Sequence, residues 1–125
     1  MKQVIDWFEI PVSDMPRAQA FYEAVLQTTL HRENFGDPNM DMAVFKEDGL
    51  RAKGALMAGN PAVMVGASGT LVYLHAGSSL DAALQRVVAG GGQVAMAKVA
   101  LPDGVGFMAH MLDMDGNRVG LHAYA

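Results

Sequence analysis

The sequence has no cysteine, which excludes disulfide bonds, thiol nucleophiles and zinc sites built from thiolates. It also lacks any run of about 18 apolar residues, the length that a membrane-spanning helix needs. The first residues lack the charged, apolar and small-residue order of a signal peptide. We therefore expect a cytoplasmic protein that does not associate with membranes.

Basic residues are few and dispersed, with nine Lys and Arg against 13 Asp and Glu and a net charge of −4. Because no basic stripe runs along the chain, we expect no nucleic-acid partner. Phosphate-binding loops and the common hydrolase and metalloprotease motifs are also missing. Apolar residues make up 51% of the 125 residues, enough for a real core. We therefore expect a single globular domain over residues 1–125.

An internal repeat is the strongest positive feature of the chain. Residues 5–26 and 71–88 each have the pattern of a strand followed by a helix. Each predicted helix has apolar residues at the spacing i, i+3, i+4, i+7 and i+8, namely Ala18, Phe21, Tyr22, Val25 and Leu26 in the first and Leu80, Ala83, Leu84, Val87 and Val88 in the second. Such a stripe suits a helix that covers a sheet. Two similar halves are predicted to enclose a site between them.

Each half continues with three more predicted strands, so that it has the order βαβββ. The predicted strands are residues 4–12, 28–33, 40–45 and 50–57 in the first half and 71–76, 93–99, 107–113 and 118–123 in the second. The modules cover about residues 1–57 and 70–125, and a linker covers residues 58–69. Asp48-Gly49 and Asp115-Gly116 are the predicted turns before the last strand of each half. The expected fold is α+β, with two tandem modules forming a cup-shaped, half-open mixed β-barrel and the helices outside.

Three segments carry a family resemblance: IPVSDMPRAQAFYEAVL, LDAALQRVVAGGGQV and DMDGNRVGLH. In this order and spacing they resemble the vicinal oxygen chelate superfamily, which contains glyoxalase, bleomycin-resistance and dioxygenase-like proteins. The resemblance implies paired βαβββ modules around a cavity, commonly in a homodimer. It also implies a range of functions, from metal-dependent lyases, isomerases and dioxygenases to proteins that bind and sequester a drug.

The metal-using members of this superfamily place ligands on the first and last strand of each half. The matching positions here are Trp7 and Leu71 on the first strands, Gly120 on the last strand, and the segment Gly54-Ala55-Leu56 on the fourth. None of these side chains can coordinate a divalent ion. We therefore expect neither a metal nor another cofactor.

The alternation of strand residues gives candidate site residues without the family. Apolar residues of the first, fifth and last strands are expected under the helices, which leaves the cavity side to Trp7, Glu9, Tyr73, His75, Gly120 and His122. His110 is a further ligand-binding candidate, but its strand is apolar on both faces and its direction stays open.

Each candidate has a possible role beside an ordinary one. Glu9, next to Trp7 on an apolar wall, would have a raised pKa and could act as a general base, or it is a salt-bridged surface residue. His122 is a candidate proton donor or ligand partner, or a surface or dimer contact. Tyr73 could donate a hydrogen bond to a ligand, and Trp7 could stack on one. Gly120 is expected to leave room for a ligand or for the Trp7 indole.

Three hypotheses about function follow. The preferred one is a metal-independent protein that binds a small, planar or aromatic molecule. The second is an enzyme of lyase, isomerase or dioxygenase type that uses Glu9 as base and His122 as acid. The third is a metal enzyme whose ligands have moved to Glu9, His75, His110 or His122, and it ranks last.

Overall fold

The computed structural model describes residues 5–46, 53–60 and 64–125. In chain order the elements are β1 (Phe8–Pro11), α1 (Met15–Leu26), β2 (Leu30–Glu33), β3 (Asp41–Phe45), β4 (Gly54–Ala58), β5 (Tyr73–His75), α2 (Leu80–Ala89), β6 (Gln93–Ala100), β7 (Phe107–Leu112) and β8 (Arg118–Ala123). The α+β class and the doubled βαβββ order are confirmed. Within the described ranges no helix is long and apolar enough to cross a membrane.

The chain divides into two compact units. The first consists of Met1–Ala20 and Thr29–Val65, and the second of Phe21–Thr28 and Gly66–Ala125. The boundary falls inside α1, so the last part of this helix belongs with the second half of the chain.

The sheet of the first unit has the strand order β1-β4-β3-β2. β1 runs parallel to β4, and the other neighbours are antiparallel. The register places Ile10, Leu56 and Ala43 side by side on one face, and all three are buried. The other face has a separate buried cluster, made of Met42, Val44, Ala55 and Met57 with Met40 packed against it.

The sheet of the second unit repeats this arrangement with the order β5-β8-β7-β6. Again the first pair is parallel and the others are antiparallel. Leu74, Leu121 and Ala109 lie side by side on one face and are buried. Since α2 also packs on this sheet with buried apolar residues, this is the face that α2 covers. Neither sheet closes into a barrel, because each has two unpaired edge strands among the described residues.

The helix ends follow local signals in the sequence. Asp14 caps α1, since its Oδ1 accepts the N–H of Arg17 at 3.1 Å. Ser79 caps α2 in the same way, since its side chain accepts the N–H of Ala82. After α2 the chain turns through Gly91 at φ 95°, a left-handed conformation that costs glycine little.

Some predicted bounds differ from those observed. β5 has three residues instead of six, because its hydrogen bonds to β8 extend only from the Val72 carbonyl to the Ala76 N–H. The predicted apolar stripe of α2 is also too wide, since Val88 is 59% exposed. The predicted turn at Asp48-Gly49 lies outside the described residues, as does the predicted start of the fourth strand.

A buried polar network ties the end of α1 to the turn before β8, within the second unit. The Tyr22 hydroxyl donates to Oδ2 of Asp113 at 2.7 Å. Oδ1 of Asp113 accepts the N–H groups of Asp115 and Asn117, and Oδ2 also accepts the Asn117 amide. Burial and the neighbouring Asp113 carboxylate raise the pKa of Tyr22. The network satisfies a carboxylate that is buried, which would otherwise be costly.

Candidate functional site

The second sheet has a polar face on the side away from α2. Cross-strand pairing places two rows on it: Tyr73, Gly120 and His110 in the first, and His75, His122 and Met108 in the second. We call these six residues the ring face. Tyr73 and His75 are exposed, while His110, His122 and Met108 are half-buried. Tyr73, His75 and His122 therefore lie on the face away from α2, as strand alternation predicts, and His110 lies on the same face.

The space above Gly120 is filled by its neighbour. A Cβ atom built on this glycine would overlap the ring of Tyr73, its partner on β5. The expectation that Gly120 leaves room for a ligand or the Trp7 indole is therefore wrong. The physical reason is local: an aromatic side chain packs on the bare backbone of the adjacent strand.

A hydrogen-bonded chain crosses the first row. Nε of Arg118 lies 3.0 Å from Nδ1 of His110, and Nε2 of His110 lies 2.6 Å from the Tyr73 hydroxyl. Because a guanidinium can only donate, Nδ1 accepts, and the ring proton is therefore on Nε2. Burial, and then the charge of Arg118, lower the pKa of His110, in agreement with a neutral ring.

The second row is held in a different way. Nε2 of His122 lies 2.6 Å from the Val105 carbonyl oxygen. A carbonyl can only accept, so this nitrogen has a proton. The Tyr124 ring packs edge-on against the imidazole, with centroids 5.0 Å apart. His75 stands beside His122 on the adjacent strand.

Glu9 and Trp7 belong to the first unit. The Trp7 indole donates to Oε2 of Glu9 at 3.2 Å, and the Asn60 amide donates to Oε1 at 3.2 Å. Trp7 also meets Phe35 edge-on. Glu9 shares its face of the sheet with Ala55, opposite the face of Ile10, as the alternation predicts. The carboxylate is thus held in one orientation by two donors.

The donor set at the family's metal positions does not suit a divalent ion. By register, Ala55 in the first sheet corresponds to Gly120 in the second, since each lies between the first and third strand of its half. With Trp7 and Leu71, these positions offer no ligating atom. The part of the chain that the structure describes contains no group of three or more His, Asp or Glu arranged to hold a metal.

Sequence reasoning missed Arg118 and Asn60. Arg118 has the same parity as Gly120 and His122 on β8, so alternation already pointed to its face. Asn60 lies in the aperiodic segment after β4, and no pattern indicated its contact with Glu9.

A polar depression lies at the β2–β3 hairpin of the first unit. It has a volume of about 310 Å³ and is lined by Arg32, Glu33, Asn34, Met40 and Asp41. Arg32 and Asp41 form a bidentate ion pair across it. Its two principal charges therefore already satisfy each other, and we favour the ring face as the candidate site.

Comparison with protein families identifies the chain by its sequence. Residues 4–121 match the family model described as the Glyoxalase/Bleomycin resistance protein/Dioxygenase superfamily. The chain belongs to this superfamily. A comparison with curated proteins finds no match.

Solved structures share the fold at low sequence identity. Glyoxalase I from Zea mays superimposes with a TM-score of 0.66 at 18% identity, over 95% of this chain and 45% of that one. The chain therefore spans less than half the length of the maize enzyme. A superfamily enzyme from Burkholderia phytofirmans PsJN gives a TM-score of 0.66 at 14% identity, over 97% and 98% of the two chains. TnmS3, an antibiotic-binding protein from Streptomyces sp. CB03234, gives 0.64 at 22% identity, over 98% and 96%. These likenesses establish the fold.

Proposed function

We propose that this protein binds a small planar molecule on the ring face, without a metal. The observation that carries the proposal is the chain of hydrogen bonds from Arg118 through His110 to Tyr73. It orients a phenol that is 43% exposed. Exposed aromatic side chains with a fixed polar tip suit ligands that have an apolar body and a few polar atoms. The antibiotic-binding neighbour TnmS3 fits a binding role on this fold.

Two observations support independence from metal. The family's ligand positions offer no donor, and His110 already uses both ring nitrogens in hydrogen bonds. Metal analysis of untagged protein purified without chelators tests this point, and stoichiometric zinc, nickel, manganese or iron would contradict it.

Binding is tested by titrating isotope-labelled protein with a set of planar aromatic fragments and following the backbone amide resonances. We expect the shifts to concentrate on β5, β7 and β8. The variant His75→Ala should weaken binding of the fragments that cause these shifts. His31→Ala, which changes an exposed histidine on β2, should leave their affinity unchanged. If no fragment perturbs the ring face, the proposal fails.

A second candidate function is acid–base catalysis in which Glu9 acts as the base. The observation that favours it is the fixed carboxylate of Glu9, held by Trp7 and Asn60. Such a role is worth about 10²–10⁴ in rate. Once a substrate is found, Glu9→Gln should lower turnover by about 10²- to 10⁴-fold and keep affinity, whereas unchanged turnover would exclude this role.

The proposal includes a homodimer in the cytoplasm, as the superfamily resemblance implies. Sedimentation velocity at micromolar concentration tests the dimer, since a monomer at all concentrations would contradict it.

A further inference from the structure

We infer that the Tyr73 hydroxyl donates a hydrogen bond to the ligand, which therefore presents a phenolate or conjugated carbonyl oxygen next to a planar body. This inference rests on the proposed function and names the ligand's chemical class. It follows from counting protons along the first row of the ring face.

His110 is held in one tautomer. Arg118 donates to Nδ1, so the neutral imidazole keeps its proton on Nε2. Arg118 thereby acts as a positioning residue, because it selects one of the two tautomers. The imidazole then donates from Nε2 across 2.6 Å to the Tyr73 oxygen.

The Tyr73 hydroxyl proton points away from His110. Since the phenol oxygen accepts from His110, its own O–H cannot point at that nitrogen. The acceptor that the structure offers this O–H is the thioether sulfur of Met108 at 3.6 Å, and a thioether is a weak acceptor. A ligand oxygen would replace it with a stronger bond.

The hydrogen-bonded chain determines which ligand oxygen the Tyr73 hydroxyl prefers. The guanidinium polarises the imidazole, which in turn polarises the phenol, so each bond strengthens the next. The positive charge at the Arg118 end makes the Tyr73 O–H at the other end a stronger donor. Such a donor favours an oxygen with high electron density, as in a phenolate or conjugated carbonyl. The Tyr73 ring lies on the bare backbone of Gly120, which holds the phenol in place before a ligand arrives.

Two probes of nearly the same shape test the inference. 4-Nitrophenolate, at mildly alkaline pH where it is ionised, has a charged acceptor oxygen, whereas 4-nitroanisole has a methyl-capped one. We expect 4-nitrophenolate to bind the ring face more tightly, and we expect Tyr73→Phe to weaken its binding about 10- to 100-fold. The same variant should leave the affinity for 4-nitroanisole unchanged. Tyr124→Phe, at an exposed tyrosine of the same unit, is the matched control and should change neither affinity.

The outcomes separate this inference from the proposed function. If both probes perturb the ring face equally and Tyr73→Phe affects neither, the binding proposal survives and the inference is wrong. If neither probe perturbs the ring face, both are wrong.

A second measurement needs no ligand. Nitrogen-15 spectra of histidine-labelled protein should show His110 with an unprotonated Nδ1 and a protonated Nε2. Arg118→Met should give a mixture of tautomers and weaken 4-nitrophenolate binding several-fold, while the resonances of the exposed His31 stay unchanged. The opposite tautomer in the unaltered protein would overturn the inference.

Discussion

The two sheets have different side-chain chemistry at three matching positions. The trio Glu9, Ala55 and Val44 of the first sheet corresponds to Tyr73, Gly120 and His110 of the second. In the first sheet the valine and alanine belong to a buried apolar cluster. In the second sheet the three positions hold the hydrogen-bonded rings of Tyr73 and His110, with Gly120 under the Tyr73 ring. The two halves thus share a backbone arrangement but have an apolar cluster in one sheet and a hydrogen-bonded polar row in the other.

The lowered pKa of His110 gives a prediction about pH. Because burial and Arg118 disfavour the charged ring in the folded state, the unfolded chain binds this proton more readily. The His110 contribution to stability is therefore constant above the ordinary value of 6.5 and falls as the pH falls from there to the folded pKa. An NMR titration should give a pKa below 6.5 in the unaltered protein and a higher one in Arg118→Met. Equal values would show that the Arg118 charge has no effect.

Tyr22→Phe tests the buried network. The change removes the hydroxyl that donates to Asp113 and leaves the ring, so part of a buried carboxylate loses a partner. We expect a loss of about 1–3 kcal/mol in the free energy of unfolding, measured by urea denaturation. Tyr124→Phe, at an exposed position, should lose less than about 0.5 kcal/mol. Equal losses would mean that the Tyr22 hydrogen bond contributes nothing special.

Among the strands and helices, the alternation of apolar and polar residues predicts the face on which a strand residue lies. It predicts the face on which Tyr73, His75 and His122 lie, because their apolar neighbours must lie under a helix. It could not orient His110, since β7 has apolar residues on both faces. Nor could it show that Tyr73 packs across the neighbouring strand onto Gly120, because that depends on the register between β5 and β8.

The edge strand β6 shows a further limit of pattern reasoning. Val94 and Val99 are each 41% exposed, although both side chains are apolar. The pairing of β6 with β7 shifts register twice, between Val94 and Met96 and between Met96 and Val99. Such irregularities disrupt the alternation that a sequence reader relies on, and they also hinder pairing of an edge with another chain.

Gly120→Ala tests the packing of ring on backbone. The added methyl group would overlap the Tyr73 ring, so the ring must move and its hydrogen bond to His110 must break. We expect a loss of about 1–3 kcal/mol in stability and a change in the His110 tautomer resonances. Gly66→Ala, where a Cβ would meet no atom within 4 Å, should be nearly neutral. Unchanged His110 resonances in Gly120→Ala would contradict this packing.

At the scale of the whole molecule, the sequence repeat and the compact units do not coincide. The repeat predicts modules that begin at each strand-helix pair, but residues Phe21–Thr28 of α1 belong to the second unit. Phe21 packs close to Gly90 and Gly92, and Arg86 donates to the Val25 carbonyl at 3.0 Å. These contacts join residues far apart in sequence, so no local pattern could reveal them.

A fragment experiment tests this division. Residues 65–125 alone lack Phe21 and Tyr22, so we expect them not to fold cooperatively, as judged by circular dichroism and amide dispersion. A peptide of residues 13–28 should restore folding when added. The same peptide with Tyr22→Phe should bind at least several-fold more weakly, since it cannot donate to Asp113. Cooperative folding of the fragment alone would contradict the prediction.

The bond between Tyr22 and Asp113 also orders events in time. Its two residues are 91 positions apart, and a ribosome adds about 5–20 residues per second. For several seconds after α1 is synthesised, Phe21 and Tyr22 therefore stay exposed, because the residues that bury them in the second unit have not yet been synthesised. The first half of the nascent chain thus cannot complete its packing alone. In that interval Phe21 and Tyr22 would form an exposed apolar surface of the kind that chaperones bind.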